Sequence, residues 1–103
     1  MTAFELHTES APGRTIIRVT GDLDLATAPE LERELLGALG GSSAEVVLDL
    51  APVTFLDSSG LRAVLVGARE AKAAGRRLLV LPGDGQALRV IELAQVGEHL
   101  ELG

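Results

Sequence analysis

Thr54-Phe55-Leu56-Asp57-Ser58-Ser59-Gly60-Leu61 stands between a strongly apolar stretch and a long amphipathic one. Before it, Glu45 to Leu50 reads Glu-Val-Val-Leu-Asp-Leu, rich in β-branched residues with few polar interruptions, as a central strand does. After it, Leu61, Val64, Leu65, Ala68 and Ala71 recur at the i, i+3, i+4, i+7 spacing of a buried helix face. That spacing predicts a helix from about Ser58 to Ala74, ended by Gly75. An acid, two hydroxyls and a glycine therefore fall where the helix begins. A helix start presents unpaired backbone N–H groups and partial positive charge, so a hydroxyl there either caps the helix or receives a phosphate.

Working outward toward the amino end, Phe4 to Thr8 reads as a short strand and Ser10-Ala11-Pro12-Gly13 as a turn. Arg14 to Gly21, with Ile16, Ile17 and Val19, alternates less cleanly and reads as a strand covered on both faces. The two strands make a hairpin. Asp22-Leu23-Asp24-Leu25-Ala26 leads into Thr27-Ala28-Pro29-Glu30, where Thr27 and Glu30 have capping-box spacing and Pro29 fits a first helical turn. Leu31, Leu35, Ala38 and Leu39 mark the buried face of that helix, and Gly40-Gly41 stops it.

Between Leu50 and the opening motif, Ala51 to Leu56 reads as a connection. Toward the carboxyl end, Arg76 to Leu81 is a strand stopped by Pro82-Gly83. Asp84 is placed to cap a third helix, Gln86 to Ala94, with Ala87, Leu88, Ile91 and Ala94 turned inward. Glu98 to Leu102 forms a last short strand or extended tail. The order β-β-α-β-α-β-α-(β) predicts one α/β domain over residues 1–103, built on a mixed, mostly parallel sheet of four to five strands. Parallel strands ending near Gly21, Leu50 and Leu81 would bring three loops to the carboxyl edge of the sheet: Asp22 to Thr27, Val53 to Gly60 and Pro82 to Gly85.

Composition narrows the function. Of 103 residues, 47% are hydrophobic but only 2% aromatic, so the core is aliphatic. Without cysteine there is no disulfide framework, thiolate nucleophile or cysteine-based zinc site. No apolar run approaches the roughly 20 residues that span a bilayer, and the first residues lack the pattern of a signal peptide, so a cytoplasmic protein without membrane insertion is expected. A net charge of −6 argues against nucleic acid as a partner and for a protein that bears basic residues.

Several residues have two readings. Asp22 and Asp24 could form a magnesium site, but turn and loop roles suit a pair in this setting better, and with Asp57 they would form an acidic rim. Asp49 is expected to face solvent or bond nearby backbone, and Thr27 to cap its helix. His7 and His99 are isolated, without metal-ligand or catalytic spacing. Neither the glycine spacing of a nucleophile elbow nor a phosphate loop ending in lysine is present, which leaves a serine hydrolase or a nucleotide-binding protein unsupported. No metal, cofactor or catalytic residue is assigned, and an enzyme is not expected.

The whole chain resembles the STAS domain of bacterial anti-sigma-factor antagonists. The likeness rests on Gly21-Asp22-Leu23-Asp24 leading through Thr27-Ala28-Pro29 into a helix, on the Val47-Leu48-Asp49-Leu50 strand, and above all on Phe55-Leu56-Asp57-Ser58-Ser59-Gly60-Leu61. The resemblance implies a partner switch: the unphosphorylated antagonist binds an anti-sigma factor that is also a serine kinase, and sigma factor is released. The kinase, using ATP and magnesium, modifies the serine directly after the aspartate, which is Ser58, and a phosphatase reverses it. Asp57 matches the acidic neighbour, needed for kinase recognition or for local geometry. Ser59 and Gly60 match the rest of the motif, and Arg62 stands where many relatives have glycine, one turn beyond Ser58, in position to meet a phosphate or the kinase. The expected partner surface is Asp22, Asp24, Thr27, Asp57, Ser58, Ser59, Gly60 and Arg62, with the loop at Gly83 on its rim. The alternative is a constitutive STAS interaction module of a lipid-transport or signalling assembly, in which Ser58 or Thr54 supplies contacts and no phosphate is exchanged.

Overall fold

Residues 3–103 are described in a computed structural model. The order is β1 (Glu5–Ala11), β2 (Arg14–Leu23), α1 (Ala28–Leu39), β3 (Glu45–Asp49), β4 (Val53–Leu56), α2 (Ser58–Ala73), β5 (Arg77–Leu81), α3 (Gln86–Ala94) and β6 (Glu101–Leu102), with a 3-10 turn at Gly97–His99 before the last strand. The expected hairpin is present: β1 and β2 pair antiparallel from Glu5 opposite Thr20 to Ala11 opposite Arg14. From β2 onward the strands are parallel, in the order β1-β2-β3-β5-β6. The result is a mixed α/β sheet of six strands with three helices, one strand more than the upper expectation.

The extra strand is β4, in the stretch read as a connection. β3 accompanies β2 only as far as Arg18 opposite Asp49. Beyond that point β4 takes the vacated side of β2, with Asp22 opposite Phe55 and Leu23 opposite Leu56, after a register shift between Gly21 and Asp22. Gly21 permits the shift: its φ is +90°, and any Cβ there would collide with the Ala3 carbonyl. Its amide donates to the Pro52 carbonyl at 3.3 Å. Thus Asp22 and Leu23, expected in a loop, belong to a strand.

One face of the sheet makes the core. Ile17, Val19, Val46, Leu48, Leu78 and Val80 pack against Leu31, Leu35 and Leu39 of α1, Ala63, Val64 and Ala71 of α2, and Ala87 of α3. Gly67 lets the two long helices approach closely, since a Cβ there would lie 2.9 Å from Leu35 Cδ1. Leu65 and Ala68 of α2 and Ala38 of α1 are only half-buried.

β2 is not covered on both faces. It alternates strictly, with Thr15, Ile17, Val19, Gly21 and Leu23 buried and the residues between them not. The open face holds rows of cross-strand ion pairs: Arg14 to Glu45 at 2.8 Å, Glu45 to Arg77 at 2.6 Å, Arg77 to Glu101, and Arg18 to Asp49 at 3.1 Å. Ile16 lies between Arg14 and Arg18 on this face and is half-buried, so an apolar residue on the open face mimics a doubly buried strand in the sequence. Asp49 also accepts from the Ala51 amide at 3.0 Å, the backbone bond anticipated for it.

In α3, Ala87 and Ile91 are buried and Leu88 half-buried, but Ala94 is exposed at the helix end. Asp84 does not cap it. Gly83, at φ +72°, turns the chain over Ala51 and puts Gly85 in the cap position, so the Asp84 side chain lies one residue too early.

Candidate functional site at the start of the second helix

The site is built where β2, β4 and α2 meet. Asp57 leaves β4 in extended conformation and is the N-cap of α2, its Oδ1 accepting from the Gly60 amide at 3.0 Å. Its own amide donates to the Leu23 carbonyl at 3.3 Å, which fastens the cap to the end of β2. Gly60 is buried against that same carbonyl: a Cβ would stand 2.6 Å from Leu23 O, 2.7 Å from Leu56 Cδ1 and 2.8 Å from Leu23 Cγ. The first turn of α2 therefore lies flat on the end of the β2–β4 pair, and only glycine allows it.

Capping, read from the sequence as an option for the serines, belongs to Asp57. Ser58 and Ser59 are the first two helical residues. Ser58 is exposed and Ser59 half-exposed. Among the described residues neither hydroxyl takes part in a hydrogen bond, and neither amide has an acceptor, whereas the Gly60 and Leu61 amides bond Asp57 Oδ1 and Asp57 O. An exposed hydroxyl thus sits beside free N–H groups at the positive end of a 16-residue helix.

Thr27 holds the neighbouring segment, and not as expected. It occupies the N-cap position of α1, with Pro29 in the first turn, but its side chain makes no capping bond and the box with Glu30 does not form. Instead Thr27 Oγ1 donates to the Asp22 carbonyl and accepts from the Asp24 amide, both at 2.9 Å. Asp24 Oδ1 accepts from the Ala26 and Thr27 amides at 3.0 and 3.2 Å. The threonine is drawn back because β2 ends only a few residues earlier and leaves those backbone groups to be satisfied.

Asp22 receives the Thr54 hydroxyl at 3.0 Å across the β2–β4 pair. Asp22 and Asp24 are therefore engaged in structural bonds, and among the described residues no group of three metal-ligating side chains gathers. Arg62 is exposed and shares with Ser59 a cleft of about 130 Å³ between the starts of α1 and α2. The loop at Gly83 packs over Ala51, ahead of β4. His7 and His99 are exposed at the surface, beside Glu9 at 3.2 Å and Glu98 at 3.7 Å.

Two residues escaped the sequence reading. Leu25 is 75% exposed and Phe55 46% exposed, both next to the acidic rim. Leu25 lies in the same small cleft as Ser59 and Arg62. Phe55 faces outward because, in a four-residue strand whose Val53 and Leu56 are buried, Thr54 and Phe55 are left exposed. Apolar tips among carboxylates and a free hydroxyl make a surface suited to protein contact.

A family model described as "Mlab, STAS domain" matches residues 6–102, and the chain belongs to the STAS-domain family. Among curated relatives, a putative anti-sigma factor antagonist, BtrV, of Bordetella bronchiseptica is 28% identical over 91 residues, 88% of this chain and 78% of that protein. Among solved structures, an anti-sigma factor antagonist from Mycobacterium paratuberculosis superposes with a TM-score of 0.84 at 28% identity, covering 97% of this chain and 85% of that one. The Bacillus cell fate determinant SpoIIAA in its phosphorylated form has a TM-score of 0.72 at 24% identity over 98% and 91% of the two chains, a likeness of fold. No helix among the described residues is long and apolar enough to cross a membrane.

Proposed function

We propose that this protein is a non-enzymatic, cytoplasmic anti-sigma-factor antagonist that binds an anti-sigma serine kinase, releases sigma factor, and is switched off when the kinase phosphorylates Ser58. A phosphatase restores it. The observation that carries the reading is the state of Ser58: exposed, unbonded, and held at the helix start by Asp57 and Gly60, which do the structural work around it. The relatives named as anti-sigma factor antagonists support it.

In this reading the switch acts on the partner and not on the fold. A phosphate at Ser58 would meet free N–H groups and the positive helix end, worth roughly 0.3 to 1 kcal/mol at an exposed site, against repulsion from Asp57. The fold stays intact. At an interface packed on Leu25 and Phe55, adding nearly two negative charges without a matching cation costs several kcal/mol, so the effect falls on the partner.

The test is incubation with the cognate kinase and ATP, followed by mass spectrometry. Phosphate is expected on Ser58 and no transfer to Ser58→Ala. Ser58→Asp is expected to bind the kinase at least about tenfold more weakly at an unchanged thermal midpoint. Absence of modification with the cognate kinase overturns the switch.

A second reading, a constitutive STAS interaction module of a lipid-transport or signalling assembly, has one specific observation on its side. The matching family model is described by Mlab and not by the antagonists. In that module Thr54, exposed and anchored to Asp22, would share the contact with Ser58. Binding to an assembly partner that is indifferent to kinase and ATP would favour it.

A further inference from the structure

From Arg62 onward, α2 forms one wall of a groove of about 570 Å³ whose opposite wall is the 3-10 turn carrying Glu98 and His99. Arg62, Arg69 and Lys72 line it, with half-buried Leu65 and Val66 between them. At 3.6 residues per turn these positions fall on one stripe of the helix, about 15 Å long from Arg62 to Lys72, opposite the core residues Val64 and Ala71.

The groove gathers three of the chain's basic residues. The chain has nine basic residues against fifteen acidic ones. Arg14, Arg18 and Arg77 are taken up in cross-strand ion pairs, and Arg76 donates to the Ser43 carbonyl. Among the described residues Arg33 of α1 and Arg89 of α3 enter no ion pair either, but they stand singly, whereas Arg62, Arg69 and Lys72, also without an ion pair, share one groove. Three free cations on one helix face, interleaved with apolar side chains, complement an acidic amphipathic surface.

We infer that this groove is a second docking surface, and that its occupant is an acidic amphipathic helix of a partner protein. Leucine-type side chains of such a helix would lie along Leu65 and Val66, with its carboxylates on Arg62, Arg69 and Lys72. Glu98 across the groove would take a single cation of the same helix. A phosphate-rich surface, whether anionic bilayer or nucleic acid, fits less well. The chain carries −6 overall, and Glu70 and Glu98 flank the cations, so a continuous anionic plane would meet repulsion that a helix with spaced carboxylates avoids. Arg62 is shared with the cleft beside Ser59, but Leu65, Val66, Arg69 and Lys72 are not, so the domain would hold two partners, one switched by phosphate and one constant.

The probe is a designed helical peptide of about four turns, with leucines at i, i+3/i+4 and i+7 flanked by glutamates, titrated into ¹⁵N-labelled protein; its counterpart has lysine for glutamate. Amide shifts are expected at Leu65, Val66, Arg69 and Gly97 to His99 with the acidic peptide only. Arg69→Glu with Lys72→Glu is expected to weaken binding at least about tenfold, and Arg69→Gln with Lys72→Gln by an intermediate factor; both pairs are exposed and should keep the wild-type melting point. Unchanged binding by the glutamate pair, equal binding of the lysine peptide, or tighter binding to phosphatidylglycerol vesicles or a single-stranded oligonucleotide would overturn the proposal. Ser58→Ala should bind the peptide as wild type does, so loss of the phosphorylation reading leaves this result standing, and the reverse.

Discussion

The two long helices begin with similar sequence chemistry and opposite outcomes. At α1 every first-turn amide is satisfied by its own chain: Ala28 N donates to Asp24 O at 2.7 Å, Pro29 has no donor, and Glu30 and Leu31 N both reach Thr27 O. At α2 the Asp57 side chain and carbonyl satisfy Gly60 and Leu61, and the Ser58 and Ser59 amides have no protein acceptor among the described residues. One helix start is closed and the other open. The closed one uses its threonine to hold the end of β2, which in turn supports the open one, because Leu23 at that strand end accepts from Asp57 N and packs on Gly60. An open helix start needs a rigid floor, and here the neighbouring helix start supplies it.

The severest way to break that arrangement is Gly60→Ala. The added methyl would press on two leucine side chains and on the Leu23 carbonyl, and the carbonyl cannot withdraw without moving β2. A loss of about 3 kcal/mol is expected, measured by urea denaturation. A loss near zero would mean that α2 does not lie flat on Leu23, and the site geometry would have to be redrawn.

How much of this was legible in the sequence depends on whether the cause was local. The strand-helix alternation and the parallel sheet order follow from periodicity and from glycine and proline stops, and α3 was placed from Gln86 to Ala94, as found. β4 was not legible, because its four residues pair with the end of β2 some thirty residues earlier, and Pro52 before it reads as a break. The side-chain caps of α1 and α2 differ from the sequence reading for a common reason. Threonine, serine and aspartate are all competent to cap, and which one does so depends on what else needs a hydrogen bond: Thr27 is drawn to Asp22 and Asp24, while Asp57 has no competing demand. The position of Ser58 came from its neighbours' motif, whereas its freedom from hydrogen bonds could be seen only once the cap was assigned to Asp57. Leu25 and Phe55 went unnoticed because an exposed apolar residue carries no signal until the strand faces are known.

A sharper comparison sets Thr27→Val beside Asp57→Ala. If the closed start is the structural one, Thr27→Val, which keeps the shape but strands the Asp22 carbonyl and the Asp24 amide, should cost about 2 kcal/mol. Asp57→Ala removes a single cap bond and should cost about 1 kcal/mol. Hydrogen exchange separates them further: Thr27→Val should deprotect the Asp24 amide, and Asp57→Ala the Gly60 amide. If Asp57→Ala proves the costlier, the support runs from α2 to β2 and the comparison is inverted.

The smallest effect lies at the opposite edge of the sheet, where Arg77 bonds Glu101 through Nε at 2.9 and 2.8 Å and Glu45 through its other arm at 2.6 Å. Hydrogen bonds from the guanidinium hold the Glu101 carboxyl below its ordinary value, and the same bonds raise Arg77. Because the folded carboxyl titrates lower than the unfolded one, its contribution is present above the unfolded pKa and fades as pH falls through the folded one. The melting-point advantage of wild type over Glu101→Gln should therefore be full at neutral pH and vanish in the acid range. It should also be slight, because the pair is solvent-exposed and salt screens it. Phosphate transfer to Ser58 and peptide binding in the α2 groove should be the same in both proteins. If Glu101→Gln altered either, the amino edge would be coupled to the helix starts, and the floor beneath Ser58 would extend through the whole sheet and not only through Leu23.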